Sequence, residues 1–282
     1  MILDYVAFVV GGNNKNVEFY SPDGKCQYNL APIPNGAFEP ILAYIDDRIL
    51  ACGGRGNKNC NLYHPSNDSW SVYSTSSFTH SEQPGEIYDG KIFIADDSNP
   101  EVFDPASKTW YTWTAPLYKT GGGPCLVAWK DIFILFGGFS NRRGVQTFNH
   151  STDAWQELDS SSVPIDIYFS SCVLLPNDDI LIVGSEDSPY RSSAALYNIR
   201  LNAWKKLPDT SISRHGASLI TLGTRVFAMD SDERNVIEEY HYNSFTWSAI
   251  EEKLIAPRYH HETLSLPSEI LQHLPFGCTG VH

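Results

Sequence analysis

Basic side chains that could recognise a carboxylate are concentrated in a few short segments of this chain. The sequence has only 20 lysines and arginines against 33 acidic residues, and its formal net charge is −13. Because a guanidinium can form two parallel hydrogen bonds with a carboxylate, such segments are candidates for binding an acidic ligand. The basic residues of these short polar segments are Arg55, Lys58, Arg142, Arg143, Arg191 and Arg234.

Aromatic residues and further arginines occur in comparable positions, next to apolar stretches that read as strands. Arginine and aromatic side chains are the types most enriched at the energetic centres of protein interfaces. We therefore predict one ligand-binding face that combines both types. Its candidate residues are Arg55, Lys58, Phe78, Tyr118, Phe139, Arg142, Arg143, Tyr168, Tyr190, Arg191, Arg214, His215, Arg258, Tyr259 and His260.

No motif for a metal, a cofactor or catalysis stands out. The nine histidines show no HxH or HExxH spacing, and the adjacent His260 and His261 would point to opposite faces of a strand. The segment Gly121-Gly122-Gly123 lacks the lysine and helix pattern of a phosphate-binding loop, and no GxSxG elbow occurs. We therefore expect no cofactor, no metal and no catalytic residue.

The six cysteines lack CxxC spacing, and we expect no disulfide framework from them. This favours a reducing, cytoplasmic location, although sequons at Asn67 and Asn149 keep a secreted origin open. Cys125 and Cys172 each lie twelve residues before a glycine that ends a strand pattern, so we expect them on neighbouring inner strands. They are either a reactive pair or two small buried residues.

A sequence pattern that recurs along the chain indicates which strands and loops position the candidate residues. Strand patterns that end in paired glycines, or in their equivalents, recur six times at intervals of about 42 to 47 residues. In five copies an aromatic residue is followed seven positions later by tryptophan, as in Tyr63 to Trp70. Each copy reads as four short strands, and a four-stranded sheet cannot bury both faces unless such sheets pack radially.

The sequence therefore predicts an all-β, six-bladed propeller with four antiparallel strands per blade. The chain begins at a second strand, at residues 4–10, and residues 258–266 read as a first strand with no second strand after it. Pairing these two segments would complete blade one and leave no edge strand unpaired. We expect the propeller to span residues 1–267, with residues 268–282 as a C-terminal tail.

These marks resemble the kelch repeat, and the chain is most similar to the kelch domain of BTB–kelch proteins over about residues 4 to 266. The resemblance implies that a partner peptide binds the face formed by the loops between second and third strands and by the linkers between blades. No BTB or BACK segment accompanies the repeats, so we do not expect this chain alone to recruit a cullin ligase.

We therefore expect a protein-binding module for a segment with acidic residues, and not an enzyme. One alternative is an enzyme that acts on a sugar or another small molecule at the central channel, lined by Arg214, His215, Arg258 and His260. Six-bladed kelch propellers that epimerise sialic acid are similar in architecture. A further alternative is an actin-binding kelch protein, although these usually carry two propellers.

Two classes of partner are not expected. Nucleic-acid binders normally present a basic face, and the acidic balance of this chain argues against one. A membrane-spanning helix needs a run of about 18 apolar residues, and the sequence has no such run.

Overall fold

The computed structural model describes residues 5–24, 26–231 and 234–275. Its strands form six four-stranded antiparallel sheets. Blade 1 contains β1 (Tyr5–Gly11), β2 (Val17–Tyr20), β3 (Gln27–Leu30) and β24 (His261–Pro267). Blade 2 contains β4 (Ile41–Ile45), β5 (Arg48–Cys52), β6 (Asn59–His64) and β7 (Ser69–Thr75). Blade 3 contains β8 (Gly85–Tyr88), β9 (Lys91–Ile94), β10 (Glu101–Asp104) and β11 (Thr109–Thr112).

The remaining blades repeat the same order. Blade 4 contains β12 (Cys125–Trp129), β13 (Ile132–Phe136), β14 (Val145–Asn149) and β15 (Ala154–Glu157). Blade 5 contains β16 (Ser171–Leu174), β17 (Asp179–Val183), β18 (Ala194–Asn198) and β19 (Ala203–Lys206). Blade 6 contains β20 (Ser218–Leu222), β21 (Arg225–Met229), β22 (Glu238–His241) and β23 (Thr246–Ala249). Three short 3₁₀ helices are Pro65–Asn67, Tyr190–Ser192 and Ser268–His273.

Blade 1 is completed from both ends of the chain, as predicted. Strand β24 pairs with β1 in an antiparallel register that runs from Tyr5 opposite Pro267 to Gly11 opposite His261. The innermost strand of blade 1 is therefore the last strand among the described residues. The predicted six-bladed propeller is confirmed, with this pairing as its closure.

The hydrophobic core is divided among the interfaces between blades. Six buried clusters occur in the described residues, and each joins one pair of neighbouring blades. The tryptophans of the repeat contribute to them: Trp70 packs at 5.1 Å from Tyr63, and its indole N–H donates to the carbonyl of Ala31 in the linker before blade 2. Burying an aromatic body while satisfying its polar tip explains why tryptophan recurs here.

The paired glycines sit where the backbone of one blade approaches that of the next. Gly137 has a φ of 66°, and a Cβ built on it would lie 2.1 Å from the carbonyl oxygen of Ile167 in the following linker. Neither the backbone conformation nor the space accepts a side chain. The close approach of the two blades therefore requires glycine at this position.

The expectation that the cysteines form no disulfide framework is wrong. Disulfides join Cys52 to Cys60 and Cys125 to Cys172, and the described residues contain no free cysteine. The first pair occupies opposite positions on β5 and β6. The second pair bridges the inner strands of blades 4 and 5. Both pairings depend on strand register and blade order, which CxxC spacing does not report.

The segment that follows β24 packs under blades 1 and 2. The 3₁₀ helix Ser268–His273 buries Ile270 and Leu271 in the cluster between those blades. Residues 276–282 of the predicted tail lie outside the described residues. Among the described helices, none has the length and apolar character needed to cross a membrane.

Candidate functional site

One face of the propeller collects all the segments that carry the candidate residues. In each blade, the loop between the second and third strands and the linker that leads to the next inner strand emerge on the same side. We call this side the top face. Its loops stand on a rigid ring of sheets, and loops so placed commonly carry function.

A ring of six residues surrounds the channel where it opens on the top face. Each lies one to three positions before an inner strand. Each has a left-handed φ, from 49° at Phe169 to 62° at Gly123, a conformation that favours glycine. Five of the backbone N–H groups donate to the carbonyl of another member at 2.7 to 2.9 Å. The members of this mouth ring are Glu39, Glu82, Gly123, Phe169, Gly216 and His260.

Two members of the mouth ring are glycines. The other four adopt the same left-handed conformation although they carry side chains. A non-glycine residue in this conformation costs on the order of 1 kcal/mol, and such residues cluster at functional sites. His260 is one of them, so it precedes β24 instead of sharing a strand with His261. The expectation that these two histidines are strand neighbours on opposite faces is therefore wrong.

His260 contacts residues of two other linkers, the one before blade 2 and the one before blade 5. Its Nδ1 hydrogen-bonds the carboxyl group of Glu39. The Phe38 ring stacks on the imidazole at 4.4 Å, and the Phe169 ring meets it edge-on at 4.8 Å. Burial raises the pKa of Glu39, while the hydrogen bond with His260 opposes that rise. The pair forms a buried carboxyl–imidazole contact at the mouth.

The channel below the mouth ring is a cavity of about 190 Å³ to which all six blades contribute. Two further carboxyl groups lie in it. Glu86 accepts from the backbone N–H of Ile87 at 3.2 Å, and Glu262 accepts from the hydroxyl of Ser218 at 3.1 Å. Burial raises the pKa of each carboxyl group to about 7. Nearby carboxylates also contribute to the rise at Glu262.

The four glutamates of the channel were absent from the sequence-derived candidates. Glu39 and Glu82 would emerge from aligning the repeats at the residue that precedes each inner strand, where they fall in register with His260. Glu86 and Glu262 lie within inner strands. No sequence signal separates them from the charged residues of a solvated strand face.

Arg214 and Arg258 do not line the cavity. Both side chains are fully buried between blades. Arg214 donates to Glu238 at 2.6 Å, and Arg258 donates to Glu18. Each pair ties a linker to the third strand of the adjoining blade. These arginines are structural ion pairs, and no surface ligand reaches them.

His80 occupies the equivalent position in blade 3. Its ring contacts Glu101 at 2.7 Å and Asp96 at 3.3 Å, and its side chain is buried. The hydroxyl of Ser76 donates to the same Glu101 carboxylate at 2.5 Å. The cluster therefore replaces the arginine–glutamate pair of blades 1 and 6 with an imidazole and two carboxyl groups.

The basic residues of blade 2 are engaged within the chain. Arg55 pairs with Glu82 at 2.5 Å and lies 4.1 Å above the Phe38 ring. Lys58 donates to the carbonyl of Ser77 at 2.7 Å. Phe78 is exposed in the same linker, away from the mouth ring. These residues form a rim between blades 2 and 3.

The densest group of candidates lies between blades 4 and 5. Arg142 pairs with Asp187 and lies 4.9 Å from the Phe139 ring centre and 4.7 Å from that of Tyr168. The Phe139 side chain is 54% exposed. We call this group the blade 4–5 patch. Its members are Phe139, Arg142, Arg143, Asp166, Tyr168, Asp187 and Tyr190.

Arg143 occupies the outer part of this patch. It pairs with Asp166 at 2.6 Å and donates to the Tyr190 hydroxyl at 3.1 Å. Arg191, from the same loop as Tyr190, donates to the carbonyl of Glu186 at 3.0 Å. Arg142 and Arg143, which were predicted to bind a ligand carboxylate, are thus already paired with carboxylates of this chain, and Arg191 is bonded to a backbone carbonyl.

The other candidates divide between the mouth and the outer linkers. His215 and Tyr259 approach each other at 6.3 Å, and His215 lies 5.6 Å from His260. Burial raises the pKa of Tyr118 to about 12, and its hydroxyl lies beneath the loop before β14. Arg234 is exposed, and its neighbours Asp232 and Glu233 lie outside the described residues.

Comparison with known proteins supports the fold and no more. No family of known proteins matches this chain, and no curated protein matches it. Among solved structures, one described as the structure of YjhT is similar, with a TM-score of 0.70 and 14% sequence identity. The alignment covers 89% of this chain and 95% of that one. At this identity the likeness shows the six-bladed propeller fold alone, so function must be argued from the residues of this chain.

Proposed function

We propose that this protein is an interaction module that binds a protein partner through the blade 4–5 patch of its top face. The observation that carries the proposal is the exposed Phe139 ring, which lies beside Arg142 and Tyr168, with the Arg143–Tyr190 contact in the outer part of the same patch. Rigid aromatic and arginine side chains dominate the energetics of protein interfaces. β-Propellers commonly mediate protein interactions, although some are enzymes.

The aspartates of the patch refine the predicted preference for an acidic partner. The Arg142 and Arg143 ion pairs are partly exposed. Exposed ion pairs contribute little to stability, about 0 to 1 kcal/mol. A partner carboxylate can therefore replace Asp166 or Asp187 at small cost, while an apolar partner side chain packs on Phe139. We infer a partner segment that combines an acidic and an apolar residue.

The test compares partner capture by three forms of the full chain. The wild type and Phe139→Ser/Arg142→Glu are used as baits in source-cell lysate, followed by chemical cross-linking and mass spectrometry. Val72→Ser serves as the matched control, since Val72 is 57% exposed on the outer strand of blade 2. We expect the control to retain every specific partner and the double variant to lose them, with cross-links to residues 137–144. Partners retained equally by all three forms would contradict the proposal.

We further infer that the repeats are of the kelch type and that the chain folds in an oxidising compartment. Glycine pairs with positive φ and tryptophans buried between blades support the first inference. The two disulfides support the secreted alternative over the cytoplasmic expectation, because disulfides persist mainly in oxidising compartments. Peptide mapping of protein from its native source, with free thiols blocked at lysis, tests the compartment.

A further inference from the structure

The central channel holds more carboxyl groups than its own cations neutralise. Of the four glutamates that line it, Glu39 bonds to His260 and Glu82 pairs with Arg55. Within residues 5–24, 26–231 and 234–275, no ion pair reaches Glu86 or Glu262. Buried charges in proteins are normally paired, since an isolated carboxylate in the interior is strongly destabilised. Two carboxyl groups in one cavity without a counter-ion are therefore either protonated or paired with a cation from outside the chain.

The channel also contains buried polar atoms that have no hydrogen-bond partner. His261 lines the cavity and is only 2% exposed, yet neither ring nitrogen has a hydrogen-bond partner. Burial holds the pKa of His261 well below its ordinary value, so the ring is neutral and offers one acceptor nitrogen and one N–H donor. The side-chain oxygen of Gln83, also in the lining, is unpartnered as well. Unpaired buried polar atoms are rare, and these would accept hydrogen bonds from a ligand.

The rest of the wall contains two serines, Ser170 and Ser171, and is otherwise mainly apolar. Leu42, Leu126 and Leu219 line the cavity together with the disulfide between Cys125 and Cys172. Phe169 stands in the mouth ring, where its ring can face a cation entering the channel. At about 30 Å³ for each water molecule, the cavity volume corresponds to a ligand of only a few heavy atoms.

An ammonium group matches these features. It carries a positive charge and three N–H donors, and it has no acceptor. We propose that the central channel binds a small organic ammonium ion, with Glu86 and Glu262 as its counter-ions. A short alkyl chain on the nitrogen would lie against the leucines and the disulfide. This site is separate from the blade 4–5 patch and does not depend on the proposed protein partner.

The proposal predicts a specific dependence on pH. The titratable groups that face the two carboxyls are Glu39, Glu82, His260 and His261, whereas the lining from blades 4 to 6 supplies only serines, apolar groups and the disulfide. A cation binds the ionised form of Glu86 and Glu262, whose pKa values are raised to about 7. Binding therefore releases protons, and affinity is lost as the pH falls through 7. Between pH 8 and pH 6 the loss is about tenfold for each carboxyl that must ionise.

The test is isothermal titration calorimetry on the full chain with n-butylamine and with 1-butanol, its neutral analogue. We expect butylammonium to bind at pH 8 at least tenfold more tightly than butanol, with heats that change with the ionisation enthalpy of the buffer. Equal binding of the two probes would reduce the site to an apolar cavity. Failure of butylammonium, methylammonium and putrescine alike to bind at pH 8 would overturn the proposal.

Variants assign the effect to the two carboxyl groups. Glu86→Gln and Glu262→Gln should each weaken butylammonium binding at pH 8 about tenfold or more, and each should flatten the pH dependence. Glu262→Asp keeps the charge and should retain more binding than Glu262→Gln, which separates loss of a counter-ion from loss of folding. Glu251→Gln, at an exposed position in the linker after blade 6, is the matched control and should bind as the wild type does. Unchanged affinity in both channel glutamine variants would refute the assignment.

Discussion

Replacing Glu262 by glutamine should stabilise the protein at neutral and alkaline pH. The side chain lies in the channel, where burial raises its pKa from the ordinary 4.5 to about 7. The folded protein therefore binds a proton that the unfolded chain has released between these two values. A carboxyl whose pKa is raised by folding destabilises the native state above pH 7, and this destabilisation disappears as the pH falls toward 4.5.

The size of the effect follows from the two pKa values. A rise from 4.5 to about 7 corresponds to about 3 kcal/mol of lost stability at pH 8 and to less than about 1 kcal/mol at pH 5. The side chain keeps some contact with the open space of the channel, so these figures are upper bounds. Glutamine has nearly the same shape and can still accept from the hydroxyl of Ser218. We expect Glu262→Gln to gain about 1 to 3 kcal/mol at pH 8.

Urea denaturation followed by tryptophan fluorescence and circular dichroism measures this difference directly. Wild type, Glu262→Gln and the control Glu251→Gln are unfolded at pH 5 and pH 8 without added amine. The gain from the channel variant should be several times larger at pH 8 than at pH 5, and the control should follow the wild type. A variant that is less stable than the wild type at pH 8, or a gain independent of pH, would refute the argument that Glu262 is buried without a counter-ion.

Three further substitutions test the scaffold, each by denaturant unfolding. Arg258→Met removes the buried guanidinium and should lower the free energy of unfolding by about 3 to 5 kcal/mol, because Glu18 is left buried and unpaired. Arg200→Gln, at an exposed ion pair, should lower it by less than about 1 kcal/mol. Equal losses would contradict the structural role of the buried pair. Gly137→Ala should be far more destabilising than Gly56→Ala. Both glycines have a positive φ, but only at Gly137 would the added Cβ lie against backbone atoms. Similar losses of stability would count against that contact. Cys125→Ser should lower the free energy of unfolding by about 2 to 4 kcal/mol under oxidising conditions and by little under reducing conditions. A loss of stability that does not depend on redox conditions would contradict the disulfide between Cys125 and Cys172.

The fold could be predicted from the sequence because its determinants repeat. A glycine equivalent to Gly137 ends the second strand in four of the six blades, and Trp70 has counterparts in most blades. Such requirements recur with the blade and produce a period that a single sequence displays. The pairing of β24 with β1 followed from the same count, because one blade lacked its first strand and the far end of the chain supplied it.

The candidate site could be predicted only in part, because its contacts do not repeat. Arg142 and Asp187 come from loops of different blades, so no local spacing announces that the arginine is already paired. Arg214 and Arg258 lie at equivalent positions near the ends of their linkers, and the sequence does not distinguish an arginine at the channel mouth from one buried against a third strand. The disulfide between Cys125 and Cys172 likewise depends on the order of the blades around the ring.

The channel combines strained backbone with carboxyl groups that have no counter-ion among the described residues. The interfaces between blades are apolar, and their buried arginines have carboxylate partners. At the channel, by contrast, Glu39 and Phe169 occupy a backbone conformation that suits glycine, and Glu86 and Glu262 are half-buried without cations among the described residues. Each departure lowers stability, and departures of this kind concentrate where a protein binds or reacts. The blade 4–5 patch involves no such departure, since exposed aromatic and paired arginine side chains cost the fold little. A partner surface and a channel ligand are thus separate hypotheses with separate physical support, and the variants that remove one leave the other intact.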